Sequence, residues 1–169
     1  VQEILDLGLH GWAMSRYSGC FVGFKCIADT VESSASVDAD PWRVKIAYPD
    51  DFVMPEGGLN ARLTDAMVGA VARQHEALMQ DSKIYAALAY ARANRLNRTT
   101  IDSLAYGVKP RLGIVASGKS YQDVLEALDE LGLDEREAAR IGLRLFKVAM
   151  PWPLEPDSIR EFATGLEEI

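Results

Sequence analysis

Two short apolar runs with an amphipathic helix between them constrain this chain more than any other feature. Lys109-Pro-Arg-Leu-Gly-Ile-Val-Ala116 reads as a buried strand, Tyr121 to Leu131 as a helix stopped by Gly132, and Leu143-Arg-Leu-Phe-Lys-Val148 as the next strand. Strands separated in this way cannot close as a hairpin. They form a βαβ unit with a right-handed crossover and lie parallel. Asp134 to Ile141 adds a further helix, Arg98-Thr-Thr-Ile-Asp102 a short strand, and Glu155 to Ile169 a helix capped by Asp157 or Ser158. The expected architecture is a three-layer α/β/α fold on a parallel or mixed sheet.

The first part of the chain repeats the theme less regularly. Ile4, Leu5, Leu9, Trp12 and Ala13 recur at helical spacing, with Ser18-Gly19 as a stop. Cys20-Phe-Val-Gly-Phe-Lys-Cys-Ile27 is apolar on both faces and predicts a buried strand, and Arg43 to Tyr48 a second one before Pro49. Asp50 to Asn60 has loop composition, and Ala66 to Ala93 predicts one long or two consecutive helices, with a break and new cap at Asp81-Ser82. Nothing recurs with a period of about 20 to 50 residues, so solenoids and propellers are excluded. The chain opens at Val1 already inside a helical pattern and closes where an α/β repeat would start its next strand, so it is expected to be an internal piece of a longer protein.

Composition then removes whole classes of function. At 169 residues and 49% hydrophobic content the chain can bury a core, and its formal net charge of -7 offers no basic field for nucleic acid or an anionic membrane. No apolar run reaches the roughly 20 residues that span a bilayer, and a cytoplasmic location is expected. Cys20 and Cys26, with His10 and His75, are too few for a zinc or iron-sulfur site and read as reduced, buried thiols. A redox pair would want C-x-x-C, and His10 has no nucleophile at triad spacing. The acids between Glu126 and Glu137 read as a solvated face.

One stretch, Gly113-Ile-Val-Ala-Ser-Gly-Lys-Ser120, satisfies the phosphate-loop pattern G-x-x-x-x-G-K-[ST] letter for letter. A working phosphate loop follows its strand, so that backbone N–H groups can wrap the β-phosphate. Here Gly113 lies inside the apolar run, and only Ser117, Gly118, Lys119 and Ser120 remain as a turn. The favoured account is a tight strand-to-helix turn, bent at Gly118 and capped by Ser120. The other account places Lys119 at the carboxyl edge of a sheet, where it meets an anion or a neighbouring subunit. Trp152, between Pro151 and Pro153, is a packing anchor or an interface residue.

Several stretches together carry a family likeness. Gly8-Leu-His-Gly-Trp-Ala-Met-Ser-Arg-Tyr-Ser-Gly-Cys20, Asp29-Thr-Val-Glu-Ser-Ser-Ala-Ser-Val-Asp38, Ala86 to Arg98, Leu112 to Tyr121 and Met150-Pro-Trp-Pro-Leu-Glu-Pro156 resemble the long bacterial indolepyruvate ferredoxin oxidoreductases. The resemblance implies a parent enzyme that oxidatively decarboxylates aryl 2-oxoacids to acyl-coenzyme A, with ferredoxin as electron acceptor. It also implies thiamine diphosphate, Mg and an iron-sulfur cluster in that parent. Residues 1–48 then look like the end of a pyrimidine-type thiamine domain, 49–108 like a linker with connecting helices, and 109–169 like an incomplete transketolase-C-terminal-like domain. Thr64 to Gln80 departs from the family pattern. No catalytic, cofactor or metal residue carries over to this stretch. It is expected to be a structural and interface segment, inactive alone, partnered by the remainder of the enzyme and able to form a homodimer. Two alternatives stand beside it: a nucleotide-binding α/β module built on Gly118-Lys119-Ser120, and a non-catalytic interaction domain using Trp152 or the Asp29 to Asp38 loop.

Overall fold

The computed structural model describes residues 1–60 and 69–169. The chain divides into two compact units, Val1–Asn94 and Arg95–Ile169.

In the first unit α1 spans Gln2–Ser18 and ends as its sequence requires. Gly19 adopts φ 68°, and its N–H donates to the Ser15 carbonyl at 3.0 Å. A Cβ at Gly19 would collide with the Leu59 carbonyl oxygen, so the residue serves both the cap and the close approach of that loop. α1 packs on α4 (Ile84–Ala93), whose buried Ala86, Ala87, Ala89 and Ala91 keep the contact close around Tyr90. The short α2 is Ala28–Val31 and α3 is Ala70–Leu78. Where a break was expected at Asp81-Ser82, the backbone passes from α3 to α4 through a π-helical turn, Met79–Lys83. A single wide turn absorbs the change of face without a new cap. The expected helix start at Ala66 and the anomalous stretch from Thr64 fall partly on 61–68, outside the described residues.

Both strands expected in this unit are absent among the described residues. Cys20–Ile27 and Arg43–Tyr48 have no regular secondary structure. Phe21 is fully exposed, Phe24 is about half exposed and Ile27 is 38% exposed. An apolar sequence favours a strand only where a neighbouring strand takes its backbone hydrogen bonds. In place of such a ladder, Asn94 grips Ala47, accepting from its N–H and donating to its carbonyl, each at 2.8 Å.

The second unit carries the βαβ unit. Strands β1 (Arg98–Ile101), β2 (Leu112–Ser117) and β3 (Leu143–Val148) form a mixed sheet in the order β1-β3-β2. β2 and β3 are parallel, in register from Leu112↔Leu143 to Ser117↔Val148, while β1 is antiparallel to β3. β3, at the centre, is buried at every position. Leu143 and Leu145 face α5 (Gly118–Glu130) and α6 (Glu135–Arg140), joining Ile101, Tyr121, Leu128 and Ala138. Phe146 and Val148 face α7 (Pro156–Ala163) and its Phe162. Helices thus cover both faces, the expected α/β arrangement. β2 is less buried than its apolar sequence suggested, because it lies at one side of a three-stranded sheet and leaves Val115 37% exposed. α6 opens with a full capping box between Asp134 and Glu137.

Candidate functional site at the carboxyl edge of the sheet

Ser117 ends β2, Val148 ends β3, and the two are register partners. The Ser117–Ser120 turn and the segment Ala149–Leu154 therefore leave the sheet at the same edge, the edge where open α/β sheets place their ligands. The topology brings all five singled-out residues, Ser117, Gly118, Lys119, Ser120 and Trp152, to that edge.

The turn is sharper than the sequence indicated. Gly118 adopts φ 54° and already belongs to α5. Ser120 is consequently inside the helix, and the N-cap is Ser117, whose side chain makes no capping bond. Lys119 Nζ lies 2.5 Å from Asp123 Oδ1, one helical turn on. Both side chains are well exposed, and such a pair contributes a few tenths of a kcal/mol. Gly113 sits in β2 under α7, where an added Cβ would lie 2.5 Å from Leu166 Cδ1 and 3.1 Å from the Phe162 ring. Close packing of a helix on the sheet accounts for this glycine, and five of the eight residues matching the phosphate-loop pattern, Gly113 to Ser117, are committed to the strand.

The segment after β3 is pinned at both ends. Asn97 is buried, and its Oδ1 accepts from Ala149 N at 2.9 Å and Met150 N at 2.8 Å while its Nδ2 donates to Met150 O at 3.2 Å. One amide side chain thereby supplies what a neighbouring strand would. At the far end Glu155, 1% exposed, caps α7 by accepting from Asp157 N and Ser158 N at 3.1 and 2.7 Å. The expected caps Asp157 and Ser158 lie within the helix; Pro156, with no N–H to satisfy, takes its first position. Between these anchors Trp152 is 77% exposed. Within the second unit it packs little.

Two buried cations that sequence reasoning passed over stabilise this frame. Arg144, 3% exposed on β3, donates through Nε to Asp102 Oδ1 at 2.9 Å, bonds the Phe162 carbonyl, and lies over the Phe162 ring at 5.2 Å. Lys147 Nζ lies 4.3 Å from the Tyr121 ring centroid. The alternation of Arg144 and Lys147 with Leu143, Leu145 and Phe146 hid them, since charge inside an apolar run ordinarily signals a solvated face.

His10 belongs to a separate aromatic cluster in the first unit. Its Nδ1 lies 3.1 Å from the Tyr90 hydroxyl. Burial holds the His10 imidazole below its ordinary pKa, and burial, with Tyr48 nearby, pushes the Tyr90 phenol up to about 12. It is a packed histidine. Cys26 is exposed and Cys20 half-buried, against the expectation of two buried thiols, because the strand that would bury them is absent. With two cysteines in all, the chain lacks the four thiolates an iron-sulfur cluster takes. Among the described residues no three His, Cys, Asp or Glu side chains converge to hold a metal ion. The chain's two cysteines therefore do not fit the cluster. No helix among the described residues is long and apolar enough to cross a membrane.

Residues 103–169 match the family model of an indolepyruvate oxidoreductase domain. The matched stretch lies wholly in the second unit and takes in β2, β3 and α5 to α7. The family likeness read from the sequence holds for this stretch. No curated protein and no solved structure gives a significant match to the chain.

Proposed function

We propose that this chain is a structural and interface segment of an oxidoreductase that converts aryl 2-oxoacids such as indolepyruvate to acyl-coenzyme A and passes the electrons to ferredoxin. The observation that carries this reading is the match of residues 103–169 to an indolepyruvate oxidoreductase domain. In this reading thiamine diphosphate, Mg and the iron-sulfur cluster are held elsewhere in the parent enzyme, which is cytoplasmic. The segment supplies shape: the Ser117–Ser120 turn and the rigid Pro151-Trp152-Pro153 projection meet neighbouring parts of the enzyme, and no residue here takes a chemical step. Its 1–48, 49–108 and 109–169 stretches correspond to the end of a pyrimidine-type thiamine domain, a connecting region and the start of a transketolase-C-terminal-like domain.

The test is expression of the complete reading frame that encodes this stretch, with assay of indolepyruvate-dependent, coenzyme A-dependent viologen reduction. Turnover is expected, and Trp152→Ala should reduce it by loosening the assembly while the isolated stretch keeps its fold. A complete protein that reduces viologen with no aryl 2-oxoacid would overturn the proposal. Calorimetric titration of the 169-residue chain with ATP and Mg addresses the nucleotide reading. Silence is expected; a saturable signal abolished by Lys119→Ala would replace this proposal with a nucleotide-binding one.

A further inference from the structure

The acids between Glu126 and Glu137 have a second feature that a solvated face does not explain. Three of them, Asp129, Asp134 and Glu135, rim a groove of about 390 Å³ between α5, the loop that follows it and the edge strand β1. Ile101, Tyr121 and Leu128 form its floor, each less than one tenth exposed, while Leu125 lines its wall and stays 40% exposed. Tyr121, Leu125 and Leu128 fall on one stripe of α5, at i, i+4 and i+7, so the groove continues the apolar face that α5 turns to the sheet.

Among the described residues every ionisable side chain on the rim is a carboxylate, and no lysine or arginine lines the groove. Asp134 accepts one bond from the Glu137 N–H at 2.7 Å within the α6 capping box. Asp129, Asp134 and Glu135 make no ion pair among the described residues. An apolar trough with an exclusively anionic rim is complementary to a segment that is apolar on one side and cationic beside it. α5 and α6 already form a helical layer on this face of the sheet, and the groove is the open slot in that layer over β1.

We propose that the groove receives a basic amphipathic helix from a partner polypeptide, with aliphatic side chains one turn apart packing on Leu125 and Leu128 and flanking lysines or arginines facing Asp129, Asp134 and Glu135. The inference stands on the second unit's own geometry and is independent of the reaction of the parent enzyme.

The experiment uses the 169-residue chain and a fluorescein-labelled peptide of about 14 residues, roughly four helical turns, carrying leucines at helical spacing and lysines elsewhere. A counterpart with glutamate in place of lysine serves as the matched probe. Fluorescence anisotropy at near-physiological salt should show saturable binding of the basic peptide only. Leu125→Ser should weaken it about tenfold or more, the effect of losing one buried aliphatic contact, and the pair Asp129→Asn with Glu135→Gln should weaken it about fivefold or more through the loss of two facing charges. The pair Asp50→Asn with Glu56→Gln removes the same charge from the first unit and should leave binding within about twofold, since a diffuse charge effect alone is small at this salt. All substituted side chains are exposed, and far-ultraviolet circular dichroism checks that each variant is folded. Binding of the acidic peptide with equal strength, unchanged binding in Leu125→Ser, or equal loss in the Asp50/Glu56 pair would overturn the proposal.

Discussion

The two units solve the same problem with different means. In Arg95–Ile169 the residues of β3 find partners within about fifty positions on either side: β1 before, β2 and two helices between, α7 after. In Val1–Asn94 the packing is α1 against α4, and a long intervening stretch leaves Phe21, Trp42 and Val53 more than four-fifths exposed. A buried central strand organises its surroundings because both of its faces and both of its edges are used. An apolar run without a paired neighbour has sequence hydrophobicity and no backbone partner, and hydrophobicity alone does not make a strand.

The strongest way to break this contrast is to remove the side chain on which one face of the second unit rests. Phe162→Ala takes away the ring that packs on Phe146 and sits beneath Arg144, at a ring-centroid separation of 5.1 Å from Phe146. It should cost about 3–5 kcal/mol, with hydrogen-exchange protection lost across β2 and β3 and kept in α1 and α4. Uniform loss through both units would show that they do not unfold separately. Gly113→Ala is the next in size. Its Cβ would press on Leu166 and Phe162, and overpacking of this kind costs about 1–3 kcal/mol, read as a lowered urea midpoint. A neutral result would mean that α7 can lift off the sheet.

The pH response should distinguish the units from the other side. The His10 pKa is depressed in the folded first unit, so the associated stability is present above the ordinary imidazole value and is lost as pH falls through about 6.5 and below. The Tyr90 pKa is raised to about 12, so its contribution is complete below pH 10 and is lost as pH climbs from there toward 12. Far-ultraviolet melts should show the first unit softening at both ends of this range, with the alkaline loss smaller in Tyr90→Phe. The smallest effect is expected at Phe21→Ser. A fully exposed side chain contributes less than about 0.5 kcal/mol to folding, so the melting temperature should hold while self-association in analytical ultracentrifugation falls. A large drop in stability would mean that Phe21 has a partner.

What could be read in advance followed the same division. The order β2, α5, α6, β3, the parallel pairing and the helical stop at Gly132 were legible because each rests on residues close in sequence. The same holds for α1 and its Gly19 cap. Cys20–Ile27 was misread because its pattern is that of a strand whose neighbours must come from elsewhere. The candidate edge was legible in part: Ser117 to Ser120 and Trp152 stood out, and the topology gathers them. Glu155 could have been found from Pro156, since proline favours the first helical position and so points to the residue before it as the N-cap. Asn97 could not, because its bonding with Ala149 and Met150 joins positions more than fifty residues apart. Nor could Asp102 and Arg144, whose pairing depends on β1 lying beside β3.

The Asn97 side chain makes the loop it holds depend on the difference between an amide and a carboxylate. Its Oδ1 accepts two backbone bonds and its Nδ2 donates one to the Met150 carbonyl. An aspartate at this position would keep the two acceptor contacts but set an oxygen against the Met150 oxygen, turning an attraction into a repulsion in a buried place. One nitrogen atom thus decides how firmly the start of the segment that carries Trp152 is held.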